Sequence, residues 1–281
     1  MTTPPAAVVD ELIEMRGLRF HYRDWPAARP DAPVLVLLHG YTGHARSWDA
    51  FAAAMTDRYR VIALDQRGHG ESGWAPAERY GVEDMADDLA AFVQALGLNR
   101  FTLLGLSMGG MVAMEYAGRR PRELAAVVIV DIAPELVRSG AARIQEGQKA
   151  KDVFASKDEA FAQARALDPR PPEAHHRHRV DNNLMRTEDG AWTWRYDRAL
   201  RAPGVLRPRR PEVAWDSCAA IEVPALLIRG ELSDILSPEI AARTVQTIPG
   251  AKFAQVKGSG HSIPLDAPDG FLAAARTFLE G

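Results

Sequence analysis

The stretch Gly105-Leu106-Ser107-Met108-Gly109-Gly110 is the one best equipped for chemistry. A serine hydroxyl is a weak nucleophile until a neighbouring imidazole takes its proton. Here the serine sits in a G-x-S-x-G arrangement between an apolar run and a helical pattern, which predicts a sharp strand–turn–helix bend. Small neighbours allow strand and helix to approach closely, so Ser107 is expected to project above a sheet from a strained backbone. The backbone N–H of Met108, at a helix N-terminus, would face an oxyanion formed there. The base is expected to be His261, in Gly258-Ser259-Gly260-His261-Ser262. It alone among eight histidines lies late in the chain on a glycine-rich loop after an apolar run. A second oxyanion donor is expected from the turn His39-Gly40-Tyr41-Thr42-Gly43, with the N–H of Tyr41 as the candidate. These residue types together predict acyl transfer through a covalent serine intermediate.

The elements that must position these groups are short apolar runs alternating with amphipathic stretches. Runs at 34–38, 61–64, 101–106 and 125–130 are bounded by Gly, Asp or Pro, and two more follow at 225–229 and 252–256. Continuous apolarity over so few residues predicts strands covered on both faces. Helical spacing fills 47–58, 82–96, 108–118, 238–248 and 269–279, and residues 12–22 read as a pair of edge strands around Arg16-Gly17. The fold class is therefore α/β, a mostly parallel sheet with helices on both faces. Residues 135–216 break the rhythm with six prolines, many arginines and no clear buried strand. They predict a helical cap insertion at 135–216, and a core formed by 1–134 and 217–281.

At 281 residues, 47% hydrophobic and 25% charged, the chain can bury a substantial core. A net charge of −3 gives no reason to expect nucleic acid or an anionic membrane as partner. A small-molecule substrate is expected, and nothing fixes the oligomeric state. Residues 1–15 lack a basic stretch followed by an apolar one, and the apolar runs are strand-sized, so a cytoplasmic enzyme is expected. The single cysteine, Cys218, predicts a buried small hydrophobe rather than a disulfide or a catalytic thiol. Gly68-x-Gly70-x-x-Gly73 matches a dinucleotide fingerprint in letters. It opens no helix, however, so a structural loop fixed by Asp65 and Arg67 is expected and no cofactor. His175-His176-Arg177-His178 has no second ligand group at metal-binding spacing, and no metal is expected. Arg143, Arg165, Arg170, Arg177, Arg179, Arg186, Arg195, Arg198 and Arg201 crowd the insertion. Most should be surface charge, with one or two free to turn inward on a substrate carboxylate. Trp192, Trp194 and Tyr196 alternate as in a strand, and are expected to pack cap against core.

His39-Gly40, Asp65-Gln66-Arg67-Gly68-His69-Gly70-Glu71-Ser72, the serine motif and Gly260-His261 together resemble the α/β-hydrolase superfamily, over residues 12–133 and 217–279. The resemblance implies an eight-stranded, mostly parallel sheet, a cap over the site, and the chain order Ser, acid, His. Two carboxylates compete for the acid. Asp234 follows the penultimate strand, where most of the superfamily keeps it, but it stands four residues after Gly230 instead of the usual three. Asp131 is favoured, because Asp131-Ile132-Ala133-Pro134 and the Arg229-Gly230-x-x-Ser233 segment together resemble a subgroup of small esterases and amide hydrolases whose acid follows the earlier strand. Hydrolysis of a carboxylic ester or lactone is the expected reaction. Amide hydrolysis on a small carboxylated substrate, carbon–carbon hydrolysis of a diketone, and a non-catalytic ligand-binding role are the alternatives. A serine at 107 argues against the aspartate-nucleophile chemistry of halides and epoxides.

Overall fold

The computed structural model describes residues 7–281, apart from the side chains of residues 138, 139, 141, 143 and 145. Strands β1 (Val9–Met15) and β2 (Leu18–Trp25) form the expected edge hairpin. Its two-residue turn has Arg16 at φ 50° and Gly17 at φ 75°, the left-handed pair that matches the twist of the flanking strands. Then follow β3 (Val34–Leu38), α1 (Asp49–Met55), β4 (Arg60–Leu64) and α2 (Val82–Ala95). The central unit is β5 (Phe101–Leu106), α3 (Met108–Gly118) and β6 (Leu124–Val130).

Between β6 and the next long strand lie α4 (Arg138–Lys149), β7 (Val153–Phe154), α5 (Lys157–Leu167), α6 (Glu173–Asn182), β8 (Leu184–Arg186) and β9 (Trp192–Trp194). The chain then runs α7 (Pro211–Ala219), β10 (Ala225–Gly230), α8 (Pro238–Thr247) and β11 (Lys252–Val256). It closes with α9 (Ile263–Asp266) and α10 (Pro268–Leu279).

Eight strands form one sheet in the order β1-β2-β4-β3-β5-β6-β10-β11, antiparallel at β1, β2 and β4 and parallel from β4 onward. Alternate residues of each central strand feed two separate cores. Val36, Leu38, Leu103 and Val127 pack under α2 and α3, against Leu89, Phe92 and Val112. Leu35, Leu37, Leu104 and Val128 pack under α1 and α10, against Phe51, Met55 and Phe271. Both faces are dry, which is why these strands are nearly continuous apolar runs, with Thr102 the polar exception inside β5.

The insertion departs from its expected all-helical character. Its three short strands pair as an antiparallel sheet in the order β7-β9-β8, so the alternation of Trp192 and Trp194 is that of a strand. Phe154, Ala160, Ala164, Val180 and Leu184 give this region a small cluster of its own. Helix α6 docks on the loop after β3. His44 Nε2 donates to the Arg179 carbonyl at 3.2 Å, and Asn183 Nδ2 donates to the Thr42 carbonyl at 2.7 Å. No helix among the described residues is long and apolar enough to cross a membrane.

Candidate active site

Ser107 occupies the turn between β5 and α3 at φ 53° and ψ −116°, a region that costs a non-glycine residue about 1–3 kcal/mol. The turn closes only because its neighbours are bare. A Cβ on Gly105 would strike the Gly109 carbonyl, and one on Gly109 would strike the carbonyls of Leu38 and His39. Ser107 Oγ lies 2.9 Å from His261 Nε2, and His261 Nδ1 lies 2.8 Å from Asp131 Oδ2. The imidazole reaches this position from the loop after β11, where Gly260 N donates to Asp266 Oδ2 at 2.8 Å.

Asp131 is fully buried at the end of β6, itself at φ 50°. Its Oδ1 accepts from Gly230 N at 2.9 Å, and its Oδ2 accepts from Ser233 Oγ at 2.5 Å. With two other donors already on the carboxylate, the proton shared with His261 belongs on Nδ1. That leaves the Nε2 lone pair facing the serine hydroxyl. The structure thus joins Ser107, His261 and Asp131 in one chain of hydrogen bonds. Asp234, the competing acid, is half-buried in the loop between β10 and α8 and stands outside that chain, because both imidazole nitrogens are already taken. Gly230 and Ser233, which entered the sequence reading only as part of a segment that resembles a hydrolase subgroup, are the donors that orient Asp131. The signal was there in the Arg229-Gly230-Glu231-Leu232-Ser233 stretch at a strand end.

Gly40 lies against the serine, since a methyl there would sit 3.2 Å from Ser107 Cβ. The turn that carries Tyr41 is pinned from behind by His39. Burial lowers the His39 pKa to about 4, so the ring is neutral at ordinary pH. Its Nδ1 donates to the Gly40 carbonyl at 2.8 Å, and its Nε2 accepts from Gln66 N at 3.0 Å. Thr42 at φ 59° and the bond from Gly43 N to the Gly40 carbonyl, 2.9 Å, complete the turn. Tyr41 OH ties the turn to the insertion by donating to the Leu200 carbonyl at 3.0 Å. Met108 is the first residue of α3, where an N–H has no acceptor within the helix.

Behind these turns, Asp65 accepts from His21 Nδ1, Ala45 N and Glu71 N. Burial opposes its charge, but the bond from His21, the nearby His39 and His21 rings and the Glu71 amide hold its pKa to about 2. Arg67 clamps both oxygens of Asp88 and donates to the Arg79 carbonyl. The Gly68, Gly70 and Gly73 positions are therefore bends in a buried polar loop, with Gly70 seated on the Asp65 carboxylate. His176 packs on Phe161 at 5.7 Å between ring centres, whereas His178 bonds Asp49 at 3.0 Å. Cys218 is buried beside Met114, and burial pushes its thiol up to about 12. Tyr196 lies over the site loops, 6.2 Å from the rings of both Tyr41 and His69. The side chain of Arg143 lies outside the described residues.

Comparison with known proteins bears on the whole assembly. Residues 33–268 match the family model of the alpha/beta hydrolase fold. The chain is 29% identical to 3-hydroxybutyrate-oligomer hydrolase of Cupriavidus necator over the full length of both proteins, with 100% of each covered. It is 27% identical to 2-(acetamidomethylene)succinate hydrolase of Mesorhizobium japonicum, with 88% of each chain covered. The crystal structure of E-2-(acetamidomethylene)succinate hydrolase aligns with a TM-score of 0.86, covering 98% of this chain and 100% of that one, at 23% identity. At that identity the likeness is one of fold. The sheet order, the turn at Ser107 and the family match agree, and the chain belongs to the α/β-hydrolase family of enzymes.

Proposed function

We propose that this hydrolase cleaves a small carboxylic ester or lactone through an acyl-enzyme on Ser107. The observation that carries this reading is the unbroken chain from Ser107 Oγ to His261 Nε2 at 2.9 Å and from His261 Nδ1 to Asp131 at 2.8 Å. Ser107 Oγ attacks the acyl carbon as His261 Nε2 takes its proton, and Asp131 stabilises the imidazolium. The N–H groups of Tyr41 and Met108 hold the tetrahedral oxyanion. His261 returns the proton to the departing alcohol oxygen, and the alcohol leaves. Water then enters, gives a proton to His261 and attacks the acyl carbon; His261 passes that proton to Ser107 Oγ as the acid is released. Residues 135–216 act as the cap, bound to the site loops through Tyr41, Thr42 and His44.

Hydrolysis of an amide on a small carboxylated substrate is the second reading, favoured by the name of the Mesorhizobium relative, which specifies a succinate bearing an acetamido group. The same residues serve both reactions. A panel of activated esters, lactones and amides, with Ser107→Ala as control, tests the proposal. Turnover of at least one class is expected, with a loss of three or more orders of magnitude in the alanine variant. Turnover that survives Ser107→Ala would refute it.

A further inference from the structure

The arginines of the insertion have different fates. Arg177 pairs with Asp158 at 2.6 Å and Asp181 at 2.9 Å on the surface. Arg165, Arg170, Arg186, Arg195, Arg198 and Arg201 each reach a carboxylate or a carbonyl. Arg179, two residues along α6 from Arg177, does not. Its Nε is buried and has no hydrogen-bond partner among the described residues. Asp168 and Asp266 attract the guanidinium only from beyond bonding range, and burial draws it below its ordinary value.

Arg179 lines a cavity of about 510 Å³, open mouth included, whose wall also holds Gly40, Trp48, Leu106 and Ser262. Gly40 lies against Ser107, and Leu106 and Ser262 are the chain neighbours of Ser107 and His261, so the cavity begins one residue away from the proposed nucleophile and base. Two further donors on its wall share the condition of Arg179. Trp48 Nε1 and Ser47 Oγ are buried and lack a partner among the described residues. No carboxylate lines this space among the described residues. Buried donors without acceptors are rare in folded proteins and costly, most of all when one carries charge. An anionic ligand in this space would offer acceptors to donors that lack them, and a guanidinium fork is shaped for a carboxylate.

We propose that Arg179, assisted by Trp48 Nε1 and Ser47 Oγ, binds a carboxylate of the substrate, so that the preferred substrates are small acyl compounds bearing a free carboxylate. This rests on the acyl-enzyme reading for its chemistry, but the anion site is testable without turnover.

The test uses the full-length protein and two esters of matched chain length, ethyl pentanoate and monoethyl glutarate, which differ by a methyl against a carboxylate at the far end. The wild type is expected to favour the monoanion in kcat/KM by about 10- to 100-fold. In Arg179→Gln that ratio should fall to about one, with the change carried by KM. Arg179→Lys keeps the charge but loses the fork, and gives an intermediate ratio; it also serves if the Gln variant does not fold. In a second arm, calorimetry reads glutarate binding to Ser107→Ala, and adding Arg179→Gln or Trp48→Phe should weaken it about tenfold or more. Equal efficiency for the two esters in the wild type overturns the proposal. So does a ratio unchanged in an Arg179 variant that melts like the wild type. Failure to cleave either ester, together with glutarate binding that depends on Arg179, would sink the hydrolytic reading and uphold the anion site.

Discussion

The loops on the carboxyl edge of the sheet and the insertion between β6 and β10 meet at one cavity, yet they are built on different terms. Ser107, Asp131 and Thr42 on the sheet loops all stand at positive φ, held there by buried hydrogen bonds and by two cores packed on either face. The insertion has strands of two or three residues, a five-residue cluster and a surface of ion pairs. Strained geometry needs a rigid frame to persist, and the proposed catalytic residues sit on that frame. The insertion supplies a wall and a charge, which tolerate looser construction.

Within the sheet loops themselves, the sharpest test changes one carboxylate at each of two strand ends. Asp131→Asn keeps the shape but presents the wrong hydrogen-bonding partner to Nδ1, and should lower kcat by about 10⁴. Asp234→Asn, outside the chain to His261, should change it by no more than about threefold. Ester hydrolysis by the two variants checks this, and comparable losses would erase the distinction between them. The frame itself is probed next. Removing Asp65 by Asp65→Ala strands buried donors behind the site and should cost about 3–5 kcal/mol of unfolding free energy in urea. A loss below about 1 kcal/mol, the scale of a surface pair, would mean that the turns do not depend on it.

Acid separates two carboxylates of opposite sign. The Asp65 pKa is held to about 2, below its ordinary 3.8, so its contribution is present above pH 3.8 and fades as pH falls toward 2. Asp266 is pushed the other way, to about 6, by burial and by nearby Asp168. Its ionisation therefore weakens the fold as pH rises from 3.8 through 6. Urea midpoints against pH should show Asp65→Asn flattening the acid limb and Asp266→Asn removing the loss on the higher limb. The reverse assignment would contradict both shifts. Smallest of all is Arg177→Ala on the cap surface, where solvent screens the ion pairs and little stability is lost; a drop in thermal stability as large as that of Asp65→Ala would show the insertion to be less loosely built than its ion pairs suggest.

Much of the frame was legible because burial on both faces leaves continuous apolar runs, and glycines around Ser107 mark a turn that admits no side chains. His261 was legible from a glycine-rich loop late in the chain. The support of Asp131 was legible only as a resemblance, in the Arg229-Gly230-x-x-Ser233 segment, and not as a contact. Gly230 and Ser233 are 99 and 102 residues away from it, and only the parallel pairing of β6 with β10 brings them together. Of the small sheet in the insertion only β9 showed itself, in the alternation of Trp192, Trp194 and Tyr196; β7 and β8 are too short to display a period. Arg179 was one arginine among many in the insertion, and only its surroundings distinguish it from Arg177.

Labelling with a fluorophosphonate, followed by mass mapping of the adduct, bears most directly on the linked serine and imidazole. The folded wild type should carry one adduct, on Ser107, and His261→Ala should slow its formation by about 10²-fold or more. An adduct on another residue, or equal labelling rates with and without the imidazole, would contradict the account.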